Sequence, residues 1–446
     1  MSRSKIHHSL RKVLALATAA DDGASPIPVI VRYRPARDGL ATGLEDVTTL
    51  QAQRTYDLVP CVAAEIMPHQ VEALAQNPAV ERIWYDLPVH TMLDVSVPHI
   101  GANKVWKQGD KGKGVKVAIL DTGCDLKHPD LKARVKAKKD FSGKGSVQDG
   151  NGHGSHVAGI IAGSGAASHG KYRGVAPQAE LYIAKVLDDR GSGRMSQVMS
   201  GLDWAVSKKV QVINLSLGSD INCDGTDALS EACDAAVGKG VVVVVASGNS
   251  GPGARTVGAP GCAREVLTIG ASTDDDKVAS FSSRGPTSDG RVKPDVVLPG
   301  KNIISARAFG TTLGTGQIDE HYTALSGTSM ATPHATGVVA LLLAANPELT
   351  PRQIKNILKA TAVDLSLNLN IQGAGRVNAL AAWKMAKSGE VPQPEPEPTP
   401  APPPPSPEPF PVPPPEDPSG CLAAALTLLM KLLFVEQIKS FFARQR

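Results

Sequence analysis

Between about residue 100 and residue 385, short runs of valine, isoleucine and leucine alternate with longer stretches whose apolar positions recur every three or four residues. GVKVAIL is followed by HVAGIIAG, LYIAKVL by MSQVMSGLDWAVSKK, and VQVINLSLG by DALSEACDAAVGKG; VVVVVASG comes next. Near-continuous apolar strands separated by amphipathic helices specify a mostly parallel sheet covered by helices on both faces, a large α/β domain. Ahead of it the pattern differs. PIPVIVRY, VPCVAAEI and VERIWYD read as strands and MPHQVEALAQNP as a short helix, which makes a small α+β unit ending near residue 90. VHTMLDVSVPHIGA then loses its periodicity and reads as an exposed connection that a protease could cut.

The two ends follow other patterns. Arg3, Lys5, Arg11 and Lys12 precede the apolar run VLALATAA, so residues 1–26 are either a thin signal segment or an uncleaved leader. The small unit then spans 27–94 and the large domain 95–387. Residues 388–419 are a linker in which proline recurs almost every second position, a composition that favours extended polyproline II and builds no core. In the tail, 420–446, Leu422, Leu426, Leu429 and Leu433 share a helical face. That amphipathic helix suits a membrane surface, a partner or its own domain equally well. No run of 18 uninterrupted apolar residues occurs, which argues against a conventional spanning helix.

Composition adds limits. The 446 residues exceed one ordinary domain of roughly 150. With 20% charged residues and a net charge of +4 there is no electrostatic case for nucleic acid, while peptide and protein partners stay open. Six cysteines show no CxxC spacing. Cys223, Cys233 and Cys262 lie closest together, so either one disulfide forms within that trio in an oxidising compartment or all are buried thiols.

Candidate chemistry sits at element ends. Asp121 directly follows GVKVAIL, at the carboxyl end of a central strand, where open α/β sheets place their sites; taken alone, a turn residue in DTG is the better reading. His153 stands among glycines in NGHGSHVAG, just before an apolar helix. His156 raises the idea of a zinc pair, but HxxH lacks the glutamate of HExxH, and His156 reads better as a satisfied helix histidine. Ser329, in SGTSMATPHATGVVALLLAA, begins a long helix, as a cap or as a hydroxyl at its positive end.

AILDTG, NGHGSHVAG and GTSMATPH, in that order, closely resemble the three active-site signatures of the subtilisin-like serine proteases, over roughly residues 27 to 385. The resemblance implies a serine endopeptidase with Ser329 as nucleophile, His153 as general base and Asp121 orienting it, and no cofactor for the chemistry. It further implies an oxyanion hole from Asn249 and the Ser329 amide. It also implies an extended substrate held between Gly191, Ser192, Gly193 and Ser216, Leu217, Gly218. Ala246, Ser247 and Gly248 would line the pocket for the side chain before the cut, and Met195 and Val198 an apolar pocket upstream. The bond before Pro260 is expected to be cis.

The small unit resembles an inhibitory propeptide that is cut from the catalytic domain between about His90 and Ser96, making the chain a self-processing zymogen. A monomer, secreted or at the cell surface, fits that reading; a cytoplasmic form is the alternative. Asp130 in KHPDL matches a carboxylate that binds structural calcium in relatives. The partner loop SGAASHGKYR, however, is longer than the common form and lacks the expected asparagine. The segments Asp274–Asp276 and Asp319–Glu320 are other oxygen-rich candidates for Ca²⁺, or plain surface loops. The rival functions are an inert protease-like binding module and a metal-dependent hydrolase. The first would have no need of Asp121, His153, Asn249 and Ser329 together, and the second predicts inhibition by chelators with Ser329→Ala still active.

Overall fold

The computed structural model describes residues 5–7, 10–11, 14, 26–34, 52–56, 61–85, 93–219, 223–314, 317–390 and 392. They fall into two compact units, Met1–Thr91 and Met92–Arg446. The expected tail, all but residues 388–390 and 392 of the expected linker and most of the leader lie outside the described residues.

In the first unit, strands β1 (Ile27–Tyr33), β2 (Ala52–Tyr56), β3 (Cys61–Ile66) and β4 (Val80–Tyr85) form a sheet in the order β2-β3-β1-β4. Helix α1 (Gln70–Gln76) links β3 to β4. Alternation along β1 buries Val29 and Val31 in a core with Val62, Ala64 and Ile83, to which α1 adds Val71 and Ala75. Ile6 and Leu10, from the segment expected as a leader, belong to the same core, and Ile6 bridges to Ile83.

The second unit opens with α2 (Leu93–His99) and α3 (Ala102–Trp106). The chain then runs through β5 (Lys116–Asp121), β6 (Val135–Asp140), α4 (His153–Ala162), β7 (Glu180–Lys185), α5 (Met195–Ser207) and β8 (Val212–Leu215). It continues with α6 (Ala228–Gly238), β9 (Val242–Ala246), β10 (Leu267–Ser272) and β11 (Val296–Pro299). An antiparallel pair, β12 (Ile303–Ala306) and β13 (Tyr322–Leu325), precedes α7 (Thr328–Ala345), α8 (Pro351–Ala360), α9 (Leu369–Gln372) and α10 (Ala379–Ser388).

Seven strands make one all-parallel sheet in the order β11-β10-β9-β8-β5-β7-β6. Strand alternation divides the apolar residues between two cores. Val117 and Ile119 of β5 and Val242 and Val244 of β9 face the core that holds α4 and α7. Ala118, Leu120, Val243 and Val245 face the one that holds α5 and α6. This is the parallel sheet, covered on both faces, that the hydrophobic pattern specifies. The chain places β6 and β7 on one side of β5 and β8 to β11 on the other, so the carboxyl ends of β5 and β8 flank a topological switch point, where such sheets open a crevice.

Candidate active site

Asp121 is the last residue of β5 and is fully buried. His153 is the first residue of α4, and its Nδ1 lies 2.8 Å from Asp121 Oδ1. The same oxygen accepts from the Thr122 amide at 2.7 Å. Two glycines allow this close approach. A Cβ at Gly123 (φ 111°) would collide with the Val147 carbonyl, and one at Gly154 with the Gly123 carbonyl. Burial alone would push the His153 imidazolium down. The Asp121 charge and hydrogen bond, helped by Asp149, outweigh it and raise the pKa above its ordinary value.

Ser329 is the second residue of α7, so its amide has no partner four residues back along the helix and points out at the positive end. Its Oγ donates to the Ser216 carbonyl at 3.0 Å rather than to His153, and Ser216 Oγ returns a 3.0 Å bond to the Ser329 carbonyl. A second tie, Thr336 Oγ1 to Asn214 Oδ1 at 2.8 Å, fixes β8 against α7. Asn249 follows β9. Its Oδ1 accepts from the Thr328 amide at 2.8 Å and from Thr328 Oγ1 at 3.1 Å. An amide N–H can only donate, so this contact identifies Oδ1 and leaves Nδ2, beside Gly327, as a donor with no acceptor among the described residues.

A cleft of about 520 Å³ is lined by His153, Gly191, Ser192, Gly193, Met195, Val198, Ser216, Leu217 and Gly218. Nine of the expected site residues thus share one cavity. Ala246, Ser247 and Gly248 are not among its lining residues; Ala246 and Ser247 are buried at the end of β9, where the Ser247 amide bonds to the Ile269 carbonyl. Leu187, Leu229 and Leu313 add to the apolar lining. Leu313 comes from the β12–β13 connection, whose Thr311 packs on Gly152 beside His153. The sequence reading placed calcium candidates Asp319 and Glu320 in that loop but missed its part in the cleft, since the loop has no periodicity of its own. It also missed Lys185, buried at the end of β7 with its Nζ bonded to the Thr122 carbonyl and to Asp189 at 2.7 Å.

The candidate calcium residues have protein partners. Asp130 Oδ1 accepts from the Ala167 amide at 2.9 Å and Oδ2 from the Tyr322 hydroxyl at 2.7 Å; these are hydrogen-bond donors, a set that does not fit a calcium shell. Asp275 pairs with Lys277, and Asp276 with His99 and Arg376. Asp319 Oδ1 accepts the His321 and Tyr322 amides, and Glu320 pairs with His321. His156 is buried with Nε2 at 2.9 Å from the Ile303 carbonyl, and burial, first among its causes, pushes its pKa down to about 3, so it stays neutral. Cys223 and Cys262 form a disulfide, Cys233 is a buried thiol, and the Ala259–Pro260 bond is cis.

A parallel α/β sheet with an Asp–His pair at one strand end, and a serine at a helix start beside the same cleft, has the architecture of a serine hydrolase. Residues 112–375, more than half the chain, match the family described as "Subtilase family". The chain is 39% identical over 350 residues to "Serine protease AprX" of Bacillus subtilis (strain 168), covering 73% of this chain and 79% of that protein. It is 40% identical over 342 residues to "M-protease" of Shouchella clausii (strain KSM-K16), covering 76% and 83%. To "Subtilisin E" of Bacillus subtilis (strain 168) it is 38% identical over 338 residues, covering 74% and 83%. The chain belongs to the subtilase family, and it is a subtilisin-like serine endopeptidase. Subtilases need no cofactor for catalysis.

Proposed function

We propose that Asp121, His153 and Ser329 are the triad of this endopeptidase and that the chain is a zymogen which processes itself. The 2.8 Å bond between His153 and Asp121, at the rim of the cleft that Ser216 shares, supports this reading most directly. A peptide enters extended, its backbone pairing with Gly191–Gly193 on one side and Ser216–Gly218 on the other. The Ser329 hydroxyl leaves the Ser216 carbonyl, a neutral hydrogen bond worth about 1 kcal/mol, and turns to neutral His153 Nε2. Attack moves the proton to His153, whose imidazolium Asp121 stabilises. Asn249 Nδ2 and the Ser329 amide receive the charge on the carbonyl oxygen. His153 then protonates the leaving amine, and water releases the acyl group by the reverse sequence. Met195, Val198, Leu187 and Leu313 favour apolar side chains upstream of the cut.

The small unit, with a core of its own, acts as the inhibitory propeptide. Processing falls at the amino-terminal side of the interval from His90 to Ser96. Ser96 is buried with its Oγ 2.9 Å from His334 Nε2, and Val97 is buried as well, so a protease would have to unpack the catalytic domain to reach them. The mature enzyme is a monomer. The Cys223–Cys262 disulfide favours an oxidising location outside the cytosol, and the packing of Ile6 and Leu10 favours a leader retained in the precursor. Labelling by a fluorophosphonate probe, together with hydrolysis of an unfolded protein, tests the nucleophile. Wild type takes the label and digests substrate while Ser329→Ala does neither; labelling of both would refute the assignment.

A further inference from the structure

Helix α4 begins under an unusual constraint. Its N-cap, Gly152, has φ 108°, and a Cβ there would lie 2.9 Å from Thr311 Oγ1, so the position excludes the serine, threonine or aspartate that normally caps a helix. The amides of the first turn still need acceptors. Asn151 Oδ1 takes the His153 amide at 3.3 Å, and Asp149, 1% exposed, takes the Ser155 amide from outside the helix. Its Oδ2 accepts from the Ser155 amide at 2.8 Å and from Ser155 Oγ at 2.7 Å. Its Oδ1 accepts from Gly152 N at 2.8 Å, Asn151 N at 3.1 Å and Thr122 Oγ1 at 2.9 Å. Thr122 Oγ1 in turn accepts from Gly154 N at 2.9 Å, and the Thr122 amide bonds to Asp121.

One buried carboxylate therefore ties the turn that presents His153 to the residue after Asp121. We propose that Asp149 is a positioning residue for the triad, a clamp that holds the His153 turn against the end of β5. The proposal rests on the triad reading above. Asp149 is buried with both carboxylate oxygens bonded to protein donors, so it is not placed to touch substrate, and its negative charge also favours the imidazolium of His153. A neutral isostere would fail twice. An asparagine amide must turn an N–H₂ toward one of two sets of donors, and the second negative charge near His153 disappears.

The test measures kcat, KM and the pH dependence of peptide hydrolysis for the full chain and its Asp149→Asn variant. We expect kcat to fall about 10- to 100-fold, the cost of a misplaced reacting group, with KM little changed and the acidic midpoint of the pH profile moved to lower pH. If Asp149→Asn does not fold, Thr122→Val and Thr122→Ser decide. The valine removes the hydroxyl link and should lower kcat about tenfold, and the serine restores it. Asp149→Asn or Thr122→Val with wild-type kcat and an unmoved midpoint would overturn the proposal alone. A wild-type chain without peptidase activity would bring down the triad reading with it.

Discussion

Asn249 is the residue at which structure and catalysis can be separated most cleanly. Its Oδ1 holds the first turn of α7 through Thr328, and its Nδ2 is the donor proposed above for the developing oxyanion. Asn249→Ala removes both functions. Loss of one preorganised donor costs about 100- to 1,000-fold in kcat, or about 2.7 to 4 kcal/mol, the size found for the same kind of donor in a subtilisin. Loss of the acceptor leaves the Thr328 amide unpaired at a helix start, a cost of about 1 kcal/mol in stability. Asn249→Asp keeps the acceptor and adds a negative charge at the positive end of α7, so it should unfold at or above the wild-type temperature. The same charge faces the oxyanion, so its kcat should fall at least as far as that of Asn249→Ala. Steady-state kinetics on a chromogenic peptide, paired with thermal unfolding, reads both. An Asn249→Asp enzyme with wild-type kcat, or an Asn249→Ala enzyme altered only in stability, would refute the reasoning.

Three further outcomes follow from the same coordinates. The proposed triad requires neutral His153, whose pKa is raised above 6.5, so the acidic limb of the pH–rate profile should have its midpoint above that value. Asp121→Asn should shift the midpoint down. The stability gained from that pair is fully present below 6.5 and is lost as pH rises through the folded value, which thermal unfolding across pH can follow. Buried Asp295 pairs with Lys293 at 3.0 Å and Lys355 at 3.1 Å. Burial would raise its pKa, but those two cations hold it far below 3.8, while burial drops Lys293 to about 7. Its stabilisation should therefore be present above 3.8 and fade as pH falls below it. Asp295→Asn should cost about 3 to 5 kcal/mol in denaturant unfolding at neutral pH. The Cys223–Cys262 disulfide closes a 39-residue separation, so Cys223→Ser should cost roughly 4 kcal/mol by chain entropy, measured by chemical denaturation with and without reductant.

Much of this was legible before any coordinates. VVVVVASG contains β9, and LYIAKVL and GVKVAIL cover all but one residue of β7 and β5, because a strand buried on both faces is apolar at nearly every position. Asp121 stood out as a polar residue at the end of such a run, and His153 and Ser329 as polar residues at the starts of apolar helices. β6 did not: VKAKKD is an edge strand whose lysines face solvent, and its pattern carries no core signal. Asp149 was hidden for a related reason. A carboxylate that caps a helix from three residues before its N-cap is, in sequence, one more polar turn residue, and only the positive φ of Gly152 reveals why the cap must come from elsewhere. Lys185 was read as part of an apolar strand because its ammonium is satisfied by the Thr122 carbonyl just after β5, a contact with no local sequence signature.

The most direct test of the central claim is intact mass over time for purified wild-type precursor and Ser329→Ala. Wild type should divide in the interval from His90 to Ser96, on its amino-terminal side, and then digest an unfolded protein, while Ser329→Ala stays a single mass and is inert. Division or digestion by both would contradict the assignment of Ser329 as nucleophile.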